Sequence, residues 1–295
     1  MQIIDYIFSA WFFPVLRVSA PLMFAALGGL WCERSGVIQI GLEGFMNVGA
    51  FAAACVALST HNPWLGWLAG MAAGLVLASI YGVSVIRFKS NQIVAGMAIN
   101  ILAIGIPPSF SVWLFESTSS TPQLPVEATF SVAPLWILLV VVVLSAWFFS
   151  NGAWGLRMIF AGEHPEALES SGVSVTWKRW QGVWIAGILA GCAGATLSLY
   201  LSSSYSRSMS AGRGFIALAA LILGRWRPIP TVFACLLFGV TEILQTRLQG
   251  VVIWGTEPVP VQWIQMLPYA ITIFVLAGFV GRAKAPKALG TSSAN

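Results

Sequence analysis

The chain has 295 residues, of which 58% are hydrophobic and 8% charged, with a formal net charge of +5. A soluble domain carries about 25% charged residues, so this composition excludes a chain that covers its own surface with polar groups in water. The basic residues are scattered near the ends of apolar runs rather than gathered on one dense face, which argues against a nucleic-acid partner and for a lipid bilayer.

A bilayer core takes about 20 apolar residues per helical span. The N-terminus lacks a basic n-region and carries Asp5, so it does not read as a cleaved signal peptide. Residues 1–13 read as a candidate interfacial stretch. Apolar segments then follow at 14–31, 36–58, 63–86, 91–115, 133–150, 180–201, 213–246 and 262–281. The seventh is too long for one simple helix and is interrupted by Arg225, Arg227, Pro228 and Pro230. It reads as a half-helix, a break and a full span, a pattern that lipid tolerates only where protein or a cavity satisfies the freed backbone. The fold class is therefore all-α: a polytopic transmembrane bundle of 8–10 membrane segments with broken or half-helices. Residues 1–282 form one membrane domain, and 283–295 a polar tail expected to be disordered.

Orientation follows from the short loops. Arg87 and Lys89, Arg157, Lys178 and Arg179, Arg225 and Arg227, and Arg282, Lys284 and Lys287 should face the cytoplasm. The 116–132 and 247–261 loops, with acidic residues and prolines, suit the other side. The side of the N-terminus stays open. Gly66, Gly70 and Gly74 fall four apart on one helical face, as do Gly187 and Gly191, a spacing that lets helix backbones approach closely. Cys32, Cys55, Cys192 and Cys235 stand singly and read as free thiols.

The first informative stretch is Glu33 to Gly44 (ERSGVIQIGLEG). The 36–58 segment stays open between one helix and a broken one; if it is a helix, Glu43 lies about 10 Å along it, inside the apolar zone. An intramembrane carboxylate marks either a functional site or hydrogen-bonding glue between helices, and both readings stand. Asn47 shares its face one turn on, and Gly41 and Gly44 flank it. Asn100 is a second polar residue deep in a span, suited to a neighbouring helix or to a ligand. Glu242 and Gln245 make a similar pair. Arg213 opens the half-helix and suits the outer interface better than a place facing the solute.

Residues 151–179 form the longest hydrophilic cytoplasmic stretch. Within it, Gly162-Glu163-His164-Pro165-Glu166-Ala167-Leu168-Glu169-Ser170-Ser171-Gly172 reads as a short marked helix. Pro165 suits the first helical position, Glu166 and Glu169 the positive end, and Gly172 the stop. A two-turn helix cannot stand alone in water, so Ala167, Leu168 and Ser171 should pack against the bundle's underside or a partner. One histidine and no cysteine make a metal site there unlike any common ligand set. The phosphate-loop pattern G-x-x-x-x-G-K-[ST], H-E-x-x-H and G-x-S-x-G are all missing, and no cofactor or catalytic cluster is expected.

Three stretches resemble the branched-chain amino acid, ribose and nucleoside permease family of bacterial ABC importers, most nearly its shorter nucleoside-type permease. They are Glu33 to Phe51 (ERSGVIQIGLEGFMNVGAF), Gly155 to Val173 (GLRMIFAGEHPEALESSGV) and Gly212 to Pro228 (GRGFIALAALILGRWRP). The resemblance implies a multi-pass permease subunit in the cytoplasmic (inner) membrane of a bacterium, not an enzyme. It also implies partners: an ATPase subunit with two nucleotide-binding domains, a second permease and an extracytoplasmic solute-binding lipoprotein. It makes 155–173 the ATPase-coupling segment, through Gly162, Glu163, Pro165, Glu166, Ala167, Ser171 and Gly172. A small polar solute, foremost a nucleoside, would pass Gln39, Glu43, Asn47, Asn100 and Phe215 by alternating access. Gln39 departs from the family's usual Asn at that place. The rival reading is a secondary transporter or channel that uses Glu43 as an ion or proton site.

Overall fold

In the computed structural model, the described residues are 11–249 and 284–291, with isolated positions at 266, 270 and 273. They form an all-α bundle in which seven helical stretches are long and apolar enough to cross a membrane, with the shorter apolar helix Arg213–Leu223 beside them. Apart from those isolated positions, the 262–281 span lies outside the described residues.

In chain order the helices are α1 (Phe13–Arg34), α2 (Leu42–Thr60), α3 (Pro63–Gly82), α4 (Gln92–Phe115), α5 (Ala133–Asn151), α6 (Ala153–Glu163), α7 (Pro165–Ser170), α8 (Val175–Thr196), α9 (Arg213–Leu223) and α10 (Pro228–Leu248). A π-turn, Val83–Arg87, extends α3, and another, Leu197–Leu201, extends α8. Their starts have chemical causes. Asn62 accepts from the Trp64 N–H ahead of α3, Asn91 from Ile93 and Val94 ahead of α4, and Ser174 from Trp177 ahead of α8. Each satisfies a donor that the first helical turn leaves over. Proline opens α7 and α10, where its missing N–H costs nothing.

α1 and α8 are the centre, buried along most of their length, and α8 packs against α1, α2 and α3. The glycine spacing explains how. A Cβ on Gly49 would come within 2.8 Å of the Gly191 Cα, and one on Gly70 within 3.0 Å of the Gly49 carbonyl oxygen. At Gly74 it would overlap the Gly187 carbonyl, and at Gly194 that of Met46. Backbones of α2, α3 and α8 thus meet with no side chain between them. α5 is the reverse, turning Trp136, Leu139, Val140, Val143 and Trp147 outward, a face suited to apolar surroundings.

Among the described residues the loops sort to two ends, and α1 runs from one to the other. Arg17, one turn into α1, donates to the Tyr200 carbonyl at the far end of α8, whereas Arg34 donates to the Trp226 carbonyl in the break before α10. α1 therefore starts at the end that carries the 116–132 loop and finishes at the basic end. At the first end, Thr121, Leu124 and Phe130 N–H groups donate to the carbonyls of Tyr205, Ser203 and Leu199, and Ser120 and Ser206 form an antiparallel bridge. The loop after α4 is laced to the loop after α8.

One open question closes and two expectations change. The 36–58 segment is broken: residues 35–41 are non-helical and α2 begins at Leu42. α8 begins at Val175, so Lys178 and Arg179 are buried inside its first turns rather than exposed on a loop. The tail is not loose at residues 284–291; Pro286 and Ala288 are buried against the basic end. The four cysteines are free, as read.

Candidate functional site

The break at residues 35–41 is where the sequence signals converge. Leaving α1, the chain turns at Gly36 (φ +94°), which only glycine adopts without strain, and then runs inward. Its freed backbone groups are taken up by side chains of the neighbouring helices. Gln92 Oε1 accepts from the Ile38 N–H at 2.7 Å, and the Tyr81 hydroxyl donates to the Ile38 carbonyl. Asn100 closes the other end: its Oδ1 accepts from Gly44 N–H at 2.8 Å and its Nδ2 donates to the Ile40 carbonyl at 3.0 Å. Gln92 and Asn100 are eight residues apart on α4, so the break climbs about 12 Å into the bundle between them. Glu43 is accordingly deep, although it stands in the first turn of α2. Unwound backbone carries it there, where the sequence suggested helix.

Glu43 meets the half-helix α9. Its Oε1 accepts from Gly212 N–H at 2.8 Å and its Oε2 from Gly214 N–H at 2.7 Å. A carboxylate on the unpaired N–H groups of a helix start gains charge-assisted hydrogen bonds and a favourable dipole. The fit is close: a Cβ on Gly214 would lie 2.5 Å from the Glu43 backbone nitrogen. Two discontinuous helices, α2 and α9, thus join end to end through one side chain.

Around that junction, Asn47 donates from Nδ2 to the Ala103 carbonyl at 2.8 Å, and its Oδ1 accepts from the Tyr205 hydroxyl at 3.2 Å. Burial pushes the Tyr205 phenol up to about 12, so it remains a donor at neutral pH. Asn47 therefore links the junction to the laced loops at the outer end. Arg213 pairs with Glu242 and donates to the Met209 carbonyl. Phe215 is 50% exposed on the first turn of α9, and Gln39 is fully buried, with its Nε2 lacking a partner among the described residues. The structure brings Glu43, Asn47 and Asn100 together through α2, and sets Gln39 and Phe215 apart from that hydrogen-bonded set. Sequence reading missed Tyr81, Gln92, Tyr205 and the glycine N–H groups. Gln92, a polar residue at a helix start, was the signal available.

Residues 155–173, where the coupling segment was expected, are a second feature, at the basic end. α7 spans Pro165–Ser170 and stops at Gly172 (φ +82°), as its sequence markers indicated. Leu168 is buried against Ala161 and Val175, while Glu166, Ala167 and Ser171 are exposed, so the inward face is Leu168 alone. Glu163, His164, Pro165, Glu166 and Ala167 line an open concavity. Gly162 is buried where a Cβ would overlap the Arg34 carbonyl, and Glu163 lies 3.6 Å from the Arg34 guanidinium. The segment is thereby seated on the end of α1. Trp226 joins the same corner, its indole N–H donating to Glu33 Oε2 at 2.6 Å. Among the described residues no cluster of three or more His, Cys, Asp or Glu forms a metal site.

The family model described as "Branched-chain amino acid transport system / permease component" matches residues 12–276. A nucleoside ABC transporter permease protein of Lactococcus lactis is 34% identical, with 94% of each chain covered. A guanosine ABC transporter permease protein of Bacillus subtilis is 36% identical over 93% of each chain. A putative glucose ABC transporter permease protein of Haloferax volcanii is 37% identical over 80% of this chain and 76% of its own.

Proposed function

The chain belongs to the branched-chain amino acid transport system / permease component family, and on that premise we propose that it carries nucleosides inward through a path at the α2–α9 junction. It is a multi-pass membrane permease subunit of an ABC importer, a class that works with ATPase and binding-protein partners. The finer reading is a heterodimer with a second permease, fed by a solute-binding lipoprotein, in the cytoplasmic membrane of a bacterium. Nucleoside as the solute is supported by the printed names of the Lactococcus and Bacillus relatives.

The observation that carries the path is the Glu43 cap on α9. A junction of two broken helices deep in a bundle is how transporters expose backbone groups to a solute without exposing them to lipid. In this reading Glu43 and Phe215 face the solute as α2 and α9 separate, Phe215 offering a ring to stack on. Asn47 and Asn100 hold the broken backbone, and Gln39 packs behind it. Residues 155–173, through Gly162 to Gly172, receive the ATPase. Members of the family named so far span nucleosides and glucose, so uptake decides between them. Cells carrying the full system should accumulate radiolabelled nucleoside, and excess unlabelled nucleoside should suppress it while glucose does not. Suppression by glucose alone would overturn the nucleoside reading.

A further inference from the structure

The C-terminal segment at 284–291 makes contacts that neither the path nor the docking face accounts for. Ala288 N–H donates to the Gly162 carbonyl at 2.8 Å, and Lys287 N–H to Glu163 Oε2 at 3.4 Å, both in the coupling segment. Two residues on, Gly290 N–H donates to the Gly36 carbonyl at 3.1 Å, at the turn that opens the break. Leu289, between them, packs on the cluster of Leu30, Leu221 and Trp226, which joins the ends of α1 and α9. Ala288 is 6% exposed. The segment holds its own shape through Leu289 N–H to the Pro286 carbonyl and Thr291 N–H to the Ala288 carbonyl. Four consecutive residues, Lys287 to Gly290, thus touch the coupling segment, the break leading to Glu43, and the foot of the half-helix.

We infer that residues 284–291 are a clasp that makes these three parts move together, so that a shift imposed on α7 is passed to both sides of the α2–α9 junction. The physical reason is directional. α7 has a single buried apolar anchor, Leu168, and that anchor faces α6 and α8 rather than the break. The Arg34–Glu163 pair is partly solvated and weak on its own. Backbone hydrogen bonds from one short, internally braced segment to Gly162 and Gly36 are stiffer, because a backbone donor cannot swing away as a long side chain can.

This inference rests on the coupling role proposed for 155–173, and one set of reconstitutions separates the two. The full importer, with ATPase subunits, second permease and binding protein, is assembled in vesicles with the wild-type chain, with residues 284–295 deleted, with Gly290→Val, and with Ala167→Trp. Gly290 has φ +77°, and a Cβ there would lie 2.8 Å from the Ile38 Cδ1, so valine loosens the clasp without shortening the chain. The deletion and Gly290→Val should keep the ATPase bound and hydrolysing, while solute imported per ATP falls several-fold. Wild-type coupling in both, with Ala167→Trp uncoupled, overturns the clasp and leaves the docking role standing. Wild-type coupling in Ala167→Trp overturns the docking role itself. Loss of the bound ATPase on deletion also overturns the clasp, making the segment part of the docking face. Should either variant assemble poorly, amide exchange in the wild-type importer decides: slow exchange at Ala288 and Gly290 supports the clasp, and free exchange overturns it.

Discussion

Glu43 brings a charge into the apolar zone and finds it met by two backbone N–H groups of α9. Replacing it with glutamine turns one acceptor into an NH2 group that faces a donor. An orphaned buried donor costs about 1–3 kcal/mol, and the lost interaction with the helix start adds about 0.3–2 kcal/mol. Glu43→Gln should therefore lower the melting temperature of the purified permease and reduce nucleoside uptake. Lowered melting with uptake and solute preference intact would make Glu43 a cap and nothing more. Asn100→Leu is a sharper structural probe, since it strands both Gly44 N–H and the Ile40 carbonyl. It should destabilise at least as much as Glu43→Gln. That these residues matter was legible in the sequence, because carboxylates and amides are rare in apolar runs. Their partners were not: Gly212 and Gly214 act through backbone atoms some 170 positions away, and no side-chain pattern announces a backbone donor.

The helix pairs show the same division. The small-residue spacing on α3 and α8 told which faces would meet, and Gly70 and Gly74 do lie against Gly191 and Gly187. The share of α2 in that contact was missed, although Gly49, Ala53 and Ala57 also fall four apart, because alanine is too common in apolar helices for its spacing to stand out. Gly74→Val should cost about 1–3 kcal/mol, since the new side chain meets a rigid carbonyl that has nowhere to move. Gly105→Ala, where nothing lies within 4 Å, is the matched control and should be neutral or slightly stabilising. Thermal melting of the two purified variants side by side measures the difference. The half-helix α9 was legible from its flanking prolines and arginines. The break at 35–41 was only suspected, because its residues Val37, Ile38 and Ile40 are as apolar as a helix would need. What unwinds them is the set of acceptors and donors on α3 and α4.

At the scale of the molecule, the proposed docking face and the proposed solute path lie at different heights, and α1, α9 and residues 284–291 run between them. Glu166→Trp together with Ala167→Trp places bulk on the exposed face of α7 and leaves the buried Leu168 untouched. Insertion and melting should stay at wild-type level while ATP hydrolysis no longer drives uptake, read as solute accumulated per ATP consumed. The tail's docking could not be read beforehand, since lysine, glycine, serine and threonine compose unstructured chains equally well; only the positions of Gly36 and Gly162 give it a seat. The central place of α8 has one more outcome, in biogenesis. Its groove-mates α2 and α3 leave the ribosome first, and roughly ninety residues separate Arg87 from Val175. At about 5–20 residues per second that is on the order of ten seconds. For that interval the bare glycine backbones of α2 and α3 lie in the bilayer without the helix that covers them. A nascent chain stopped before Val175 should therefore be inserted yet open to membrane proteases, and one stopped after Leu201 should be resistant.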